Sequence, residues 1–492
     1  MRYSVAMTGE TEAAMREHLI REDGQEDVLA ATYTFSTGYE RTTAVIRSVI
    51  LPSDGDRLVH GNASFTSDYV IRAATEAKAR GEGLVLLHSH PGSKGWQQLS
   101  RMDHSTESEY ERVARGFTKI PLLGMTLAGH DTAWSARLWF DRTEPTWAES
   151  VRMVSPKLSV TWNNALRQVP AVTASQVRTV SSWGPRAQAS ISRLRVLIVG
   201  CGSVGIDVAQ RLAATGLAQI GVMDFDAVET VNLDRMIGAT RLDAALARSK
   251  VAVAARLMNS AATAKSFKAV SHEMSITDPE GLRVALDYDI IISCVDRPWA
   301  RAVLNSLAYA DLIPVIDGGI ALDTFPDGRL RSGIWRSHTL VPGRPCMLCL
   351  GQLDVGEASL DRQGLLDDPK YIEGAHRSEP ARQNVAALSA SVSAALLAQF
   401  VSLAAHPGGR GVPAPLRYML AHHELEHSPA TSGEYCPYEN ETTSADNRTP
   451  LTERQDGWRR TVDERKTRRK PLRLRVLDFS EQVLMSAISR LH

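Results

Sequence analysis

Two histidines, His88 and His90, stand one residue apart at the end of the apolar run LVLLHSH. In a strand, alternate side chains share a face, so both imidazoles are presented together as neutral nitrogen donors for a metal ion. Downstream, Ser100 and Asp103 form an S-x-x-D pattern that caps and opens a helix, turning the Asp103 carboxylate back towards the strand end. A His2Asp site for Zn2+ results, its fourth position left to a water whose pKa the metal lowers towards about 7. Hydrolysis then needs a carboxylate to take the proton. Glu26, at the start of an expected strand Asp27–Phe35, is the candidate base, with Glu22 and Glu40 the nearest competitors. Singly, His-x-His is often surface or core decoration and S-x-x-D an ordinary cap; together they favour a metal site.

A second group suits a nucleotide. Gly200, Gly202 and Gly205 form G-x-G-x-x-G between LRVLIVG and a helical stretch, which lets a phosphate approach the backbone at a helix N-terminus. Asp224 closes the next strand, where an acidic residue meets a ribose hydroxyl. To this point a nicotinamide dinucleotide fits as well as ATP. Asn232, Arg235 and Lys250 separate the two, because an amide, a guanidinium and an ammonium suit a triphosphate, and Asp296 after the run DIIISCVD suits Mg2+. Separately, Arg235 and Lys250 read equally well as solvated helix charges, yet departing pyrophosphate needs such charge compensation.

Cys346 and Cys349, in RPCMLCLG, have zinc-knuckle spacing, and only Cys436 follows them. The three are candidate ligands of a second, structural zinc; the plainer reading is two buried thiols and one exposed. Cys201 and Cys294 read as small core residues.

The elements that must position these groups divide the 492 residues into two cores. Residues 1–145 alternate strands (Val28–Phe35, Ala44–Leu51, Leu84–Leu87) with helical stretches such as Tyr69–Arg80, a compact α/β unit. Residues 146–189, with Pro156, Pro170 and Pro185, read as a connecting segment. From Leu194 the pattern is strand, glycine turn, helix, strand. This is a βαβ unit of a Rossmann-like, mostly parallel sheet that continues through Asp289–Cys294 and Ile313–Asp317 in a domain spanning 190–440. Residues 441–492, with Arg465, Lys466, Arg468, Arg469 and Lys470, read as a mobile basic tail whose Leu472–Phe479 run hints at one added strand. The expected fold class is α/β throughout.

Lys plus Arg and Asp plus Glu number 56 each, so no global field favours nucleic acid or an anionic membrane. The N-terminal residues lack an apolar signal-like core, and five cysteines do not make a disulfide scaffold, so a reducing cytoplasmic setting is expected. Val385–Ala405 is interrupted by Ser389, Ser391, Ser393, Gln399 and Ser402, and reads as a buried helix rather than a membrane span.

Glu26, His88-Ser89-His90-Pro91 and Ser100-x-x-Asp103 together resemble the JAMM/MPN metalloproteases, over about residues 1–140. The resemblance implies an MPN-type domain that cleaves isopeptide or peptide bonds after a ubiquitin-like C-terminus, with Ser100 steadying the tetrahedral intermediate. The loop containing GSKGW is longer than the family's usual spacing. The strings GCGSVGIDVAQRLAATG, DFDAVETVNLDR, SCVDRPWAR and PVIDGGI resemble the ThiF/MoeB/HesA adenylyltransferases, over about residues 190–440. That resemblance implies ATP, Mg2+ and a Gly-terminated ubiquitin-like or sulfur-carrier protein, giving an acyl adenylate and pyrophosphate. It puts Asp224 on the ribose, Asn232, Arg235 and Lys250 on the phosphates and Asp296 on Mg2+, in a homodimer. Family members usually pair the CxxC with a second one; here Gly433 stands where a partner would, with His427 or Glu439 as substitutes. Relatives also carry a nucleophilic cysteine in the segment matching Gly351–Asn384, which has none here. The acyl group is then expected to pass from the adenylate straight to the thiol of a partner such as a ubiquitin-conjugating-like enzyme.

The leading expectation is adenylation of a ubiquitin-like protein combined with zinc-dependent cleavage after its terminus, in a bacterial-type conjugation system. The alternative is activation and processing of a sulfur carrier in cofactor or cysteine biosynthesis. A scaffold with degenerate sites and a nicotinamide dehydrogenase are the remaining readings.

Overall fold

The computed structural model describes all residues except 61, 368–372, 374–382, 429–430, 452–457, 468–470 and 490–492. It is mixed α/β, built on two large sheets. The nine-stranded sheet runs in the order Ser159–Trp162, Ser150–Val154, Arg2–Thr8, Arg41–Ile50, Val28–Thr37, Gly83–His90, Leu122–Ala128, Ala133–Trp139, Thr146–Trp147. Its two faces are sorted by strand alternation. Val85 and Leu87 join Leu29, Ala31 and Met125 under Met15 and Leu19 of the helix Gly9–Leu19. Leu84 and Leu86 face the other way, against Tyr69, Val70 and Ala73 of Ser67–Arg80 and Ala114 of Arg101–Thr118. His88 and His90 continue this even-numbered row, so the backbone delivers them to the side where the Arg101–Thr118 helix begins.

The eight-stranded sheet has the order Lys268–His272, Gln219–Met223, Arg195–Val199, Ile290–Ser293, Val315–Thr324, Leu330–Leu340, Leu416–Met419, Glu424–His427. The first five strands are parallel and the rest pair antiparallel. Val196, Ile198, Ile220, Val222 and Ile292 pack against helices Ser203–Ala214, Lys250–Ala261 and Ala386–Ala405; Leu197, Val199, Ile291 and Val315 pack against Pro298–Ala310. Ala386–Ala405 is the one helix among the described residues long and apolar enough to cross a membrane. Here Val392, Leu396, Phe400 and Leu403 are buried, and Gln399 accepts from Thr339 Oγ1 at 2.9 Å.

The two sheets are joined by a buried ionic cluster. Asp289 accepts from the guanidinium of Arg41, from Arg152 at 2.9 Å and from the backbone N–H of Arg195 at 2.9 Å. Arg195 in turn donates to Glu149 at 2.8 Å, and Asp287 accepts from the Glu40 and Arg41 amides. The side chains of Arg41, Glu149, Arg152, Arg195, Asp287 and Asp289 are all buried; such a cluster as a whole is near neutral in stability, but losing one member strands a charge.

Two expectations are corrected. Residues 146–189 do not form a mere connection: Thr146–Trp147, Ser150–Val154 and Ser159–Trp162 are strands of the first sheet, Ser150–Val154 lying parallel to Arg2–Thr8. Short strands whose partner is far away in sequence leave no local signal. Leu472–Phe479 is not a strand but part of the helix Leu472–Ser489, and Trp458–Thr467 is a second helix. Arg248 binds both Asp478 and Glu481, which holds the last helix against the second sheet's layer. Arg468, Arg469 and Lys470 lie outside the described residues.

Candidate functional site

The end of Gly83–His90 and the first turn of Arg101–Thr118 meet. His88 Nε2 lies 3.2 Å from His90 Nε2 and 3.6 Å from Asp103 Oδ1, and His90 Nε2 lies 3.8 Å from Asp103 Oδ2. Tetrahedral nitrogen and oxygen ligands of zinc sit roughly 3.3 Å from one another, so the donor set fits that ion. His90 Nδ1 contacts Gln97 Oε1 at 3.3 Å, the tautomer that frees Nε2 as a donor to metal. Burial first, then the Arg137 charge, pushes His88 down to about 3, keeping it neutral. Ser100 and Asp103 form the reciprocal cap: the Asp103 N–H donates to Ser100 Oγ at 3.1 Å and the Ser100 N–H to Asp103 Oδ2 at 2.9 Å. Burial opposes the Asp103 charge, but the carboxyl is held below its ordinary range, with the bonds from Ser100 favouring the ionised form.

Glu26 is the carboxylate closest in electrostatic terms, raised by burial and interacting with both His90 and Asp103. It is set in place because its neighbour Asp27 is clamped to the histidine strand. The Asp27 N–H donates to Ser89 Oγ at 3.0 Å and the Ser89 N–H to Asp27 O at 3.1 Å. Glu40 sits at the opposite end of the sheet, paired with Arg2, and Glu22 is exposed on the preceding loop. Beneath His88, His90 and Asp103 lies a buried relay that the residue pattern does not announce. Thr126 Oγ1 contacts His88 Nε2 at 3.4 Å and accepts from Arg137 at 2.6 Å; Arg137 Nε and Trp139 Nε1 both donate to Glu107. Glu107 is one turn beyond Asp103, so it pins the helix Arg101–Thr118 to the sheet. Gly124 leaves room for it, since a Cβ there would meet the Glu107 carboxylate at 2.3 Å. The one available signal was the i, i+4 spacing of Asp103 and Glu107.

The glycine turn lies at the switch point of the parallel sheet, between Arg195–Val199 and Ile290–Ser293, where open α/β sheets bind ligands. Gly200 has φ +91°, and a Cβ there would strike the Cys294 carbonyl at 2.6 Å. A Cβ at Gly205 would lie 1.9 Å from Gly200 O, while the space over Gly202, at the start of Ser203–Ala214, is open. Asp224 accepts from the Cys201 N–H at 2.7 Å. Lys250 lies 2.7 Å from Asp226 and is raised, against burial, by Asp224, Asp226 and then Asp296. The structure therefore gathers Asp224, Lys250 and Asp296 around the glycine turn, a donor set suited to a ribose, a phosphate and Mg2+. Asn232 and Arg235 are engaged within their own loop. Asn232 Oδ1 accepts from the Glu229 N–H at 2.9 Å, and Arg235 donates to Val231 O at 2.6 Å and Asp234 at 2.9 Å.

Two features here escaped the sequence reading. Arg336 donates to Asp317 at 2.6 Å, and Arg301 lies 3.8 Å from the same carboxylate, 3.1 Å from where a Gly319 Cβ would stand. Both guanidinium groups thus border the Gly318–Gly319 backbone beside Asp296, whose charge Arg301 also feels. Trp458 packs on Phe225, next to Asp224, with ring centroids 5.6 Å apart, and Arg465 donates to Phe225 O at 3.2 Å.

Cys346 Sγ lies 3.6 Å from Cys349 Sγ and 3.4 Å from Cys436 Sγ. Among the described residues neither His427 nor Glu439 joins this group. Glu439 faces the Gly343 N–H, and His427 lies in a strand paired to Leu416.

Residues 173–406 match the ThiF family. The match begins earlier than the expected residue 190 and takes in the helix Val177–Ile191. The His88–His90–Asp103 group lies outside the match. The chain is 29% identical over 209 residues to the adenylyltransferase and sulfurtransferase MOCS3 of Danio rerio, covering 42% of each protein. It is 36% identical over 124 residues to that of Xenopus laevis, covering 25% of this chain and 26% of the relative. The chain thus spans less than half the length of these curated relatives. Among solved structures, E. coli MccB with ATP aligns with a TM-score of 0.42 and 19% identity over 54% of this chain and 74% of that one.

Proposed function

We propose that the ThiF-type domain uses ATP and Mg2+ to adenylate the C-terminal glycine of a small ubiquitin-like protein, and that this protein is a sulfur carrier. The observation that supports the reaction is the gathering of Asp224, Lys250 and Asp296 around the open turn at Gly202, beside Arg301 and Arg336. Asp224 orients the ribose, and the helix N-terminus with Lys250 receives the phosphates. Arg301 and Arg336 hold the incoming carboxylate, whose oxygen attacks the α-phosphorus as pyrophosphate leaves. Asp296 would hold Mg2+, which supplies charge neutralisation at the triphosphate. The names of the MOCS3 relatives favour the sulfur-carrier class over conjugation. Intact-mass spectrometry of a Gly-Gly-terminated carrier, incubated with the protein, ATP and Mg2+, tests this. An adenylate that becomes a thiocarboxylate with a sulfur donor is the expected product; an unmodified carrier refutes the proposal.

The convergence of His88, His90 and Asp103 carries a second reading, a JAMM-type metallopeptidase on the same chain. Zn2+ held there supplies Lewis acidity for amide hydrolysis. Glu26 takes and returns the proton, and Ser100 steadies the tetrahedral intermediate. A ubiquitin-like fusion cleaved after its terminal glycine by the intact protein and not by Glu26→Ala is the expected result. In that setting the absence of cysteine from Gly351–Asn384 favours transfer to the thiol of a ubiquitin-conjugating-like partner, in a conjugation system. Both readings place a homodimer in the cytoplasm.

A further inference from the structure

The two C-terminal helices grip the segments that carry Asp224 and Lys250. Trp458, Val462 and Arg465 recur at helical spacing, so Trp458–Thr467 presents them on one side. Val462 is buried, Trp458 packs on the Phe225 ring with centroids 5.6 Å apart, and both terminal nitrogens of Arg465 donate to Phe225 O at 3.2 Å. Arg465 also pairs with Glu273, just past the strand Lys268–His272, and Arg459 pairs with Asp278. Phe225 is the residue after Asp224, so the first of the two helices fixes the loop in which the candidate ribose ligand stands.

Asp478 and Glu481 stand three residues apart on Leu472–Ser489 and so share a face. Arg248 donates to Asp478 at 2.6 Å and to Glu481 at 3.0 Å, and Arg256 donates to Glu481 at 3.0 Å. Behind the two guanidinium groups lies Asp243, fully buried and bonded to both. One carboxylate leaves two cations half neutralised, and Asp478 and Glu481 supply the remaining charge. Arg248 precedes Lys250 by two residues and Arg256 follows it on the helix Lys250–Ala261, so the last helix brackets the start of the helix that carries the candidate phosphate ligand. The two gripped segments are themselves stitched together: the Lys250 N–H donates to Asp226 O at 2.9 Å and the Val228 N–H to Arg248 O at 2.8 Å. We propose that the two helices form a clasp in which Trp458, Asp478 and Glu481 are positioning residues for the nucleotide, holding Asp224 and Lys250 at the spacing ATP requires by acting through Phe225 and Arg248. This rests on the reading of the glycine turn as an ATP site. A site assembled from two segments binds in proportion to the fraction of molecules that have both in place, so loosening either grip weakens ATP binding without altering Asp224 or Lys250.

Isothermal titration calorimetry of ATP with Mg2+ into the full-length protein tests this, with thermal unfolding as the control for fold. Trp458→Ala and the double variant Asp478→Asn with Glu481→Gln are each expected to weaken ATP binding by about three- to ten-fold, through a smaller competent fraction. Trp458→Phe keeps a ring on Phe225 and is expected to bind ATP within about two-fold of the wild type. Variants that bind ATP as tightly as the wild type, or more tightly, overturn the clasp and leave the ATP site standing; a wild type that binds no ATP overturns both. Should the double variant fail to fold, the comparison of Trp458→Ala with Trp458→Phe decides.

Discussion

Glu107→Gln probes whether the helix bearing Asp103 is held in place by the buried relay beneath the histidines. The wild-type carboxylate accepts from Arg137 Nε at 2.9 Å, from a second Arg137 nitrogen and from Trp139 Nε1 at 2.6 Å. Glutamine keeps the shape and one acceptor oxygen but turns an amide donor towards these donors. It also leaves the fully buried Arg137 guanidinium without its counter-charge. Removing one partner of a buried pair costs about 3–5 kcal/mol. Residues that orient metal ligands typically contribute a factor of about 10–100 in metal affinity. Zinc affinity measured by competition with a chromophoric chelator should therefore fall by about one to two decades, with a lowered melting temperature. A variant that unfolds like the wild type and binds zinc within about two-fold of it would refute the idea that Glu107 positions Asp103.

Asp289→Asn should destabilise the chain by about 3–5 kcal/mol, since Arg41 and Arg152 would keep buried charges with no carboxylate between them; differential scanning calorimetry reads this. Burial opposes the Asp289 charge, but Arg41, Arg152 and Arg195 outweigh it and hold the carboxyl far below the usual range. A group depressed in the folded state stabilises above its unfolded pKa of about 3.9 and loses that contribution as pH falls through the folded value. The stability gap between wild type and Asp289→Asn should accordingly narrow in strong acid. Gly205→Ala places a Cβ against Gly200 O and should cost about 1–3 kcal/mol by overpacking, weakening ATP binding while leaving the zinc content of the histidine site unchanged. Trp458→Ala removes an aromatic partner of Phe225 worth about 0.5–1.5 kcal/mol and should alter the KM for ATP several-fold, with the melting temperature little moved.

Local pattern was enough for part of this molecule. The period of a strand put His88 and His90 on one face, and glycine spacing marked the turn from Arg195–Val199 into Ser203–Ala214. The buried serines of Ala386–Ala405 marked a core helix. What local pattern could not reveal depends on partners distant in sequence. Arg41, Arg152 and Asp289 meet only when both sheets are assembled, and each looks like a solvated charge in its own segment. Arg137 and Glu107, and Arg336 and Asp317, are hidden for the same reason. Ser150–Val154 finds its parallel partner at the very start of the chain. Arg235 shows the converse: a residue singled out by motif whose guanidinium is bonded to its own loop.

ATP–pyrophosphate exchange is the most direct measure of the central claim, that the glycine turn with Lys250 and Asp296 activates a carboxylate. With a Gly-Gly-terminated sulfur carrier, the wild type should exchange label into ATP, and Lys250→Ala and Asp296→Ala should each lose the exchange while retaining the fold. Exchange that persists in both variants, or a wild type that binds ATP and never exchanges with any such carrier, would contradict it.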